Sequence, residues 1–379
     1  MPSLEKQPVV MLSTDASVGD ATSDTARRMQ VYTELYASVH VILSAPTPLR
    51  EVREVLPRVF VHPVPYRSKL LGLLRVSTTL GRVVRKIRPG SIITQDPFLF
   101  GLVGLLVGKH FHIPMVAGVF GTDIHNVFIR TESLKHRFYT LLAPHVLKRA
   151  DAIQTDGPET VERLKEEYGK KVFFKPMMPT DLDALQTLSR NLSESPFRIL
   201  FMGRFVLQKN IPLLLEIIDT TKRATGNGVR FTIVGKGRER AWFEQQVHRR
   251  GLDGVCDMRG VVSRHDIVGL FSSHHVLLLP SRYEGFPRVF MEAAVAGMPV
   301  IAAEVGGIKG LVMDEKTGYV LSQEAKSEAY AEKITHLSSH RDVLEGFSRN
   351  IKEAFQKEYG GKTVLDYQRP LVEFVSSRR

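Results

Sequence analysis

The sequence predicts an α/β protein of two Rossmann-like, doubly wound domains facing a central cleft, and three observations predict it. Short apolar, β-branched runs alternate with stretches whose apolar residues fall three and four apart, which implies right-handed βαβ units around buried parallel sheets. The runs form two series, separated by a weakly patterned stretch from Pro176 to Pro196. The 379 residues suffice for two domains at about 100–200 residues each. The expected divisions are residues 1–176, a linker at 177–196, a second domain at 197–358 and a closing segment at 359–379.

In chain order, the first series of strands is expected at Val9–Ser13, Val39–Leu43, Val59–Val61, Ser91–Gln95, Met115–Phe120 and Ala152–Thr155. The second is expected at Arg198–Met202, Arg230–Val234, Val276–Leu279, Pro299–Ala303 and Gly318–Leu321. Helical spacing runs through Leu134–Leu147 and Ile211–Ile218. Arg288 to Ala296 reads as a helix stopped by Gly297-Met298-Pro299, the Gly-then-Pro pattern of a helix end. A last helix is expected after Gly360-Gly361, interrupted by Pro370. In open sheets of this kind, ligands bind at the carboxyl ends of the strands, here in the cleft between the domains.

Composition excludes several classes. With 43% hydrophobic and 24% charged residues, the chain is not collagen-like, coiled-coil or disordered. One cysteine, Cys256, cannot form an internal disulfide and fits a reducing compartment. The opening Met1-Pro2-Ser3-Leu4-Glu5-Lys6 has no apolar core behind it. The longest apolar stretch, Pro97 to Gly108, falls far short of the roughly 20 residues that span a bilayer. A soluble, cytoplasmic protein is expected. The net charge of +12 favours anionic partners, and it is local. From Val55 to Gln95 there is no Asp or Glu, while Arg58, Arg67, Lys69, Arg75, Arg82, Arg85, Lys86 and Arg88 supply eight basic groups. Leu73, Val76, Leu80, Val83, Val84 and Ile87 repeat at helical steps, with Arg75, Arg82, Arg85 and Lys86 on the other face. Two compatible readings stand: a core-packed helix with a solvated basic side, and a peripheral contact with anionic headgroups or an acceptor.

Chemistry concentrates between Pro280 and Gly307. A loop containing Gly285, Phe286 and Pro287 feeds the helix at Arg288, and a helix N-terminus with free N–H groups suits a phosphate. Glu284 and Glu292 bracket it at a helical path of about 12 Å. One carboxylate can then take hydroxyls on each side of a diphosphate, as a nucleotide-sugar requires. After the strand Arg198–Met202 come Gly203, Arg204 and Lys209, a planar fork and a point charge suited to a diphosphate.

The segment Glu284-Gly285-Phe286-Pro287-Arg288-Val289-Phe290-Met291-Glu292, continued to Ile301, resembles the Glu-x7-Glu signature of retaining glycosyltransferases of family 4. Gly203-Arg204 with Lys209 resembles that family's diphosphate motif, and Val305-Gly306-Gly307 its loop after the next strand. With Val234-Gly235-Lys236-Gly237, the resemblance covers about Arg198 to Leu321. Gln95-Asp96-Pro97, Gly121-Thr122-Asp123 and Lys148-Arg149-Ala150-Asp151 extend it more faintly into the first half.

The resemblance implies a GT-B fold, sugar transfer with retention and no metal or other cofactor. It assigns Glu292 to ribose hydroxyls, Glu284 to sugar hydroxyls and Arg204 and Lys209 to the diphosphate. Gly285, Phe286 and Pro287 would line the pocket with Gly203 and Gly235, and residues 359–379 would cross back onto the first domain. Two places depart from the family pattern. Relatives often have a Gly-Gly loop where this chain has Ser17-Val18-Gly19-Asp20-Ala21, so Gly19 alone stands for the donor-phosphate contact. Relatives often have a His where this chain has Phe120, and the nearest imidazole is His125.

The expected activity moves a hexose-type sugar from UDP or GDP to an acceptor hydroxyl, such as a glycan or lipid-linked acceptor, and no nucleic-acid partner is expected. Asp123 has two readings, a sugar-positioning group or a turn cap. Asp181-Leu182-Asp183 mimics a metal motif but lies away from a strand end, and His110, His112, His274 and His275 lack zinc-ligand spacing. Two alternatives remain: an epimerase of the same fold, which would consume donor without acceptor, and a non-catalytic protein binding polyanions or membrane surfaces.

Overall fold

A computed structural model describes residues 6–45, 49–65, 69–120, 134–169, 171–179, 182–307 and 311–378. The described chain divides into two compact units, Met1–Pro176 with Lys362–Arg379, and Met177–Gly361.

The first unit runs β1 (Val9–Ser13), α1 (Asp24–Tyr32), β2 (Val39–Leu43), β3 (Arg53–Leu56), β4 (Val59–Pro63) and α2 (Lys69–Ile87). It continues with β5 (Ser91–Thr94), α3 (Leu99–Phe111), β6 (Met115–Val119), α4 (Leu134–Arg149), β7 (Ala152–Thr155), α5 (Pro158–Tyr168) and β8 (Val172–Phe174). The sheet order is β3-β4-β2-β1-β5-β6-β7-β8, parallel throughout except for the antiparallel edge strand β3. Its central strands are buried on both faces, which is why they read as unbroken apolar runs rather than alternating ones. The sequence reading has no counterpart for β3 and β8. The first alternates Arg53, Glu54, Val55 and Leu56 at an edge, and the second is three residues long.

The apolar stretch near Pro97 is α3, and a row of glycines seats it on the sheet. A Cβ at Gly101 would lie 2.8 Å from Val146, and one at Gly104 would lie 2.7 Å from Thr94. The helix can therefore sit closer to β5 and α4 than any side chain would allow. Ser23 caps α1, its Oγ accepting from the Ala26 N–H at 3.1 Å.

The second unit runs α6 (Leu182–Gln186), β9 (Phe197–Met202), α7 (Ile211–Thr225), β10 (Val229–Val234), α8 (Arg240–Arg249) and β11 (Cys256–Arg259). Then follow α9 (Arg264–Ser273), β12 (Val276–Leu279), α10 (Arg288–Val295), β13 (Val300–Ala303), β14 (Gly318–Leu321), α11 (Ser327–Ser339) and α12 (Arg341–Tyr359). All strands are parallel, in the order β11-β10-β9-β12-β13-β14. The core packs Phe197, Phe201, Phe205, Phe231 and Phe243 against α7 and α11.

Residues 177–196 are more than a connection. They contain α6, and Arg190 ties three elements together by donating to the carbonyls of Phe271, His274, His275 and Gly297 at 2.5–3.2 Å. One planar fork thus satisfies backbone acceptors at the end of α9, the start of β12 and the end of α10. Periodicity could not reveal this, because the segment's contribution is a single cation bonded to backbone.

The closing helix α13 (Val364–Ser376) belongs to the first unit, where Leu371 and Val375 join the core beneath α1. Pro370 does not interrupt it. The helical bond lost at proline is offset by burial on both sides and by Gln368, which donates to Tyr36 Oη and accepts from Gln154 Nε2, both at 2.9 Å.

Two buried histidines open β12. His275 Nδ1 accepts from the Arg198 N–H at 2.9 Å and stacks on Phe197, while His274 Nδ1 meets the Leu270 carbonyl at 2.8 Å. Burial pushes both down to about 4 from an ordinary 6.5. A neutral imidazole is favoured in the fold, so the unfolded chain binds more protons between those values and stability rises with pH there. Denaturant unfolding should show stability of the second unit falling as pH drops from 6.5 towards 4. His275→Asn, which keeps an acceptor for Arg198, should flatten part of that fall; an unchanged slope would contradict the assignment.

Candidate active site

In the second unit the winding reverses between β9 and β12. From β9 the chain moves outward through β10 to β11, and from β12 it moves the other way to β13 and β14. The loops leaving β9 and β12 therefore diverge and open a crevice at their carboxyl ends, the place where doubly wound sheets take ligands. The two motif segments leave these two strands.

After β9, Gly203 and Arg204 lead into a 3₁₀ turn, Leu207–Lys209, closed by Asn210 in the left-handed region. This turn folds Lys209 back so that its stem packs on Gly203, where an added Cβ would lie 3.1 Å from Lys209 Cε. The ammonium is buried and paired with the Glu284 carboxylate from the loop after β12. Gln208 joins the same two loops. Its side-chain amide donates to the Tyr283 carbonyl at 3.1 Å and to Glu284 Oε2 at 3.3 Å, and its main-chain carbonyl accepts from the Arg282 N–H at 2.8 Å. Arg204 is exposed and donates to Gln208 Oε1 at 3.4 Å.

The loop Gly285-Phe286-Pro287 is buried, and Phe286 turns its ring into the core against Phe290 and Tyr359. Only its backbone is left to serve a ligand. Pro287 is the N-cap of α10 and makes no side-chain cap bond, though its carbonyl accepts from the Phe290 N–H at 3.0 Å. Glu292, one turn in and 3% exposed, accepts from Arg288 Nε at 3.0 Å. Gly307 has φ +80, and a Cβ there would strike the Gly285 carbonyl, so the loop after β13 can press on the β12 loop only with glycine. On the other flank, Gly235 lies on the Gly203 carbonyl with no room for a Cβ. Arg240 fixes this loop by donating to the Gly235 and Arg259 carbonyls, each at 2.5 Å.

The structure thus gathers Gly203, Arg204, Lys209, Gly235, Glu284, Gly285, Phe286, Pro287 and Glu292 around one crevice mouth, with each acid already holding a base. Gln208, Arg288 and Arg240 were not singled out in the sequence. For Arg288 a signal existed, its four-residue spacing to Glu292; for Gln208 there was none beyond its place beside Lys209. Gly19 lies in the first unit, ending a 3₁₀ turn after β1 that Asp15 caps. Arg75, Arg82, Arg85 and Lys86 are exposed on α2. Asp123 and His125 fall outside the described residues, as does Asp181; Asp183 opens α6. Among the described residues no cluster of three or more metal-ligating side chains occurs, and no helix is long and apolar enough to cross a membrane.

The comparisons with known proteins agree with the fold. Residues 18–173 match the family Glycosyl transferase 4-like domain, and residues 185–354 match Glycosyl transferases group 1. The chain is 27% identical over 297 residues to a GDP-mannose-dependent alpha-mannosyltransferase of Mycolicibacterium smegmatis, covering 74% of each. It is 22% identical over 236 residues to a glycogen synthase of Mycobacterium tuberculosis, spanning 62% of this chain but only 56% of that protein. In fold it is similar to the sucrose-phosphate synthase of Thermosynechococcus elongatus, with a TM-score of 0.82 at 19% identity, covering 99% of this chain and 100% of that one. HepE of Anabaena, solved with UDP and glucose, gives 0.74 at 17% identity, covering 98% and 100%.

Removing one member of a buried ion pair strands the other, at about 3–5 kcal/mol. Lys209→Met or Glu284→Gln should each destabilise the second unit on that scale in denaturant unfolding. The double variant should lose clearly less than the sum; strict additivity would show that the two do not interact. With a glycosyl transferase 4-like half and a group 1 half carried on two Rossmann-like sheets of GT-B type, the chain belongs to the family 4-type glycosyltransferases.

Proposed function

We propose that this glycosyltransferase moves a hexose-type sugar from a nucleoside diphosphate, UDP or GDP, to an acceptor hydroxyl with retention of configuration and without a metal. The observation that carries the reading is the meeting of Lys209 and Glu284 at the β9/β12 crevice, beside the uncapped start of α10. A diphosphate entering there meets three positive features: the Lys209 ammonium, the exposed Arg204 fork and the helix end. These lower the cost of charge on the departing diphosphate, which is the main catalytic task, and they fill the place a divalent cation takes elsewhere. Glu284, held by Lys209 and Gln208, takes sugar hydroxyls on one side. Glu292, held by Arg288, takes the ribose on the other.

No side chain here is assigned as a covalent nucleophile. Front-face attack is the accompanying proposal: the acceptor oxygen bonds to the anomeric carbon on the side from which the diphosphate departs, and that diphosphate takes the hydroxyl's proton, with Gly19 kept as a donor-phosphate contact and Asp123 as a sugar-positioning group. The names of two relatives support the donor class: one depends on GDP-mannose, and the other was solved with UDP and glucose. The acceptor is proposed to be a glycan or a lipid-linked glycan.

Thermal shift of the protein against UDP, GDP, ADP and dTDP in EDTA tests the reading. At a hundred times the dissociation constant, the matching nucleotide should add about 2.7 kcal/mol of stability. Glu292→Ala should abolish that gain. No response to any nucleotide, or an undiminished response in the variant, would overturn the site assignment; a response only after a divalent cation is added would overturn its metal independence.

A further inference from the structure

In the first unit, α2, α3 and α4 lie side by side on one face of the sheet, packed on Val10, Leu12, Ile92 and Met115. These helices hold 19, 13 and 16 residues and include no Asp or Glu. Their outward stripes are basic and apolar together. On α2, Leu71, Leu74, Arg82, Arg85 and Lys86 share one exposed stripe, opposite the buried Val76, Leu80 and Val83. On α4, Arg137, Phe138, Leu141, Lys148 and Arg149 share another, with Leu141 79% exposed and Phe138 57%. Leu106 of α3, also exposed, lies between them.

Chance solvation does not account for this distribution. Five of the nine large hydrophobic side chains exposed among the described residues fall on this one layer. The next helix on the same face, α5, carries Glu159, Glu162, Glu166 and Glu167, so the acid-free patch has an edge. Two described carboxylates beside it are turned to the protein: Asp96 accepts from the Phe98 N–H at 2.8 Å and Asp151 from the Met115 N–H at 2.9 Å. An anionic polymer would be met by the bases alone and would leave Leu71, Leu74, Leu106, Phe138 and Leu141 in water. A bilayer takes both, with headgroup phosphates on the cations and apolar side chains between the headgroups.

We infer that the α2–α3–α4 layer is a docking face for an anionic bilayer surface. Phe138 and Leu141 occupy the first half of α4, towards the carboxyl edge of the sheet, so a docked layer would hold that edge close to the membrane plane. The inference stands apart from the donor chemistry above, since it concerns adsorption and not transfer.

Vesicle flotation of the full chain tests it, using phosphatidylcholine with and without phosphatidylglycerol. The wild type should float with the anionic vesicles and stay behind with the neutral ones. R82E/R85E/K86E should lower partitioning by at least roughly tenfold, and F138S/L141S should float at low salt but detach as salt rises, when apolar insertion must hold it. R82Q/R85Q/K86Q, a milder change at exposed positions, should give a smaller loss in the same direction, and an unchanged melting temperature shows that each variant folds. Equal partitioning onto neutral and anionic vesicles, unchanged flotation of both basic variants, or binding to heparin without flotation would each overturn the inference.

Discussion

The pairing of Lys209 with Glu284 joins two loops that the sheet would otherwise hold apart. The strands β9 and β12 are neighbours, but winding carries the chain away from them in opposite directions, so their exit loops share no backbone ladder. The join is made by one backbone bond, the Arg282 N–H on the Gln208 carbonyl, and by side chains: the ammonium on the carboxylate, and Gln208 spanning from Arg204 to Tyr283 and Glu284. A buried pair of this kind returns little net stability, because desolvation consumes most of the attraction. What it supplies is position. It keeps a cation and an anion in contact and buried where the loops leaving β9 and β12 meet; in the proposed function an incoming diphosphate competes for the first and sugar hydroxyls for the second.

Around that pair the backbone is brought unusually close. Gly235 rests on the Gly203 carbonyl and Gly307 on the Gly285 carbonyl, so the loops of four strands are pressed into contact where no Cβ could stand. Rigid support comes from cations that bond to carbonyl oxygens rather than to acids: Arg240 behind the Gly235 loop, and Arg190 beneath β12 and α10. Arg190 and Arg240 of the second unit thus serve backbone acceptors near the site, whereas Arg82, Arg85 and Arg137 of the first unit are exposed on α2 and α4.

Most of the fold was legible because parallel strands buried on both faces write themselves as apolar runs. Val39–Leu43, Ala152–Thr155, Val276–Leu279 and Gly318–Leu321 appear at the expected residues. The strands that escaped lie at sheet edges, where β3 and β11 mix Arg, Glu and Asp with apolar residues. Residues 177–196 escaped for a different reason, since Arg190 works through backbone carbonyls and leaves no periodic trace. Pro370 misled because helix-breaking is a local rule, and tertiary burial of Gln368, Leu371 and Val375 outweighs it. At the site, residue types and order were readable, but the partnerships were not. Residue chemistry and the family resemblance put Glu284 and Lys209 on one donor; only the fold shows that they pair with each other.

The central claim is that this crevice receives the donor diphosphate between Lys209 and the start of α10. A structure of the chain bound to the nucleoside diphosphate that stabilises it tests the claim directly. The account predicts phosphate oxygens on Lys209, Arg204 and the first N–H groups of α10, with the ribose on Glu292. A nucleotide bound elsewhere, or one in the crevice with its ribose away from Glu292 and its phosphates off Lys209, would contradict it.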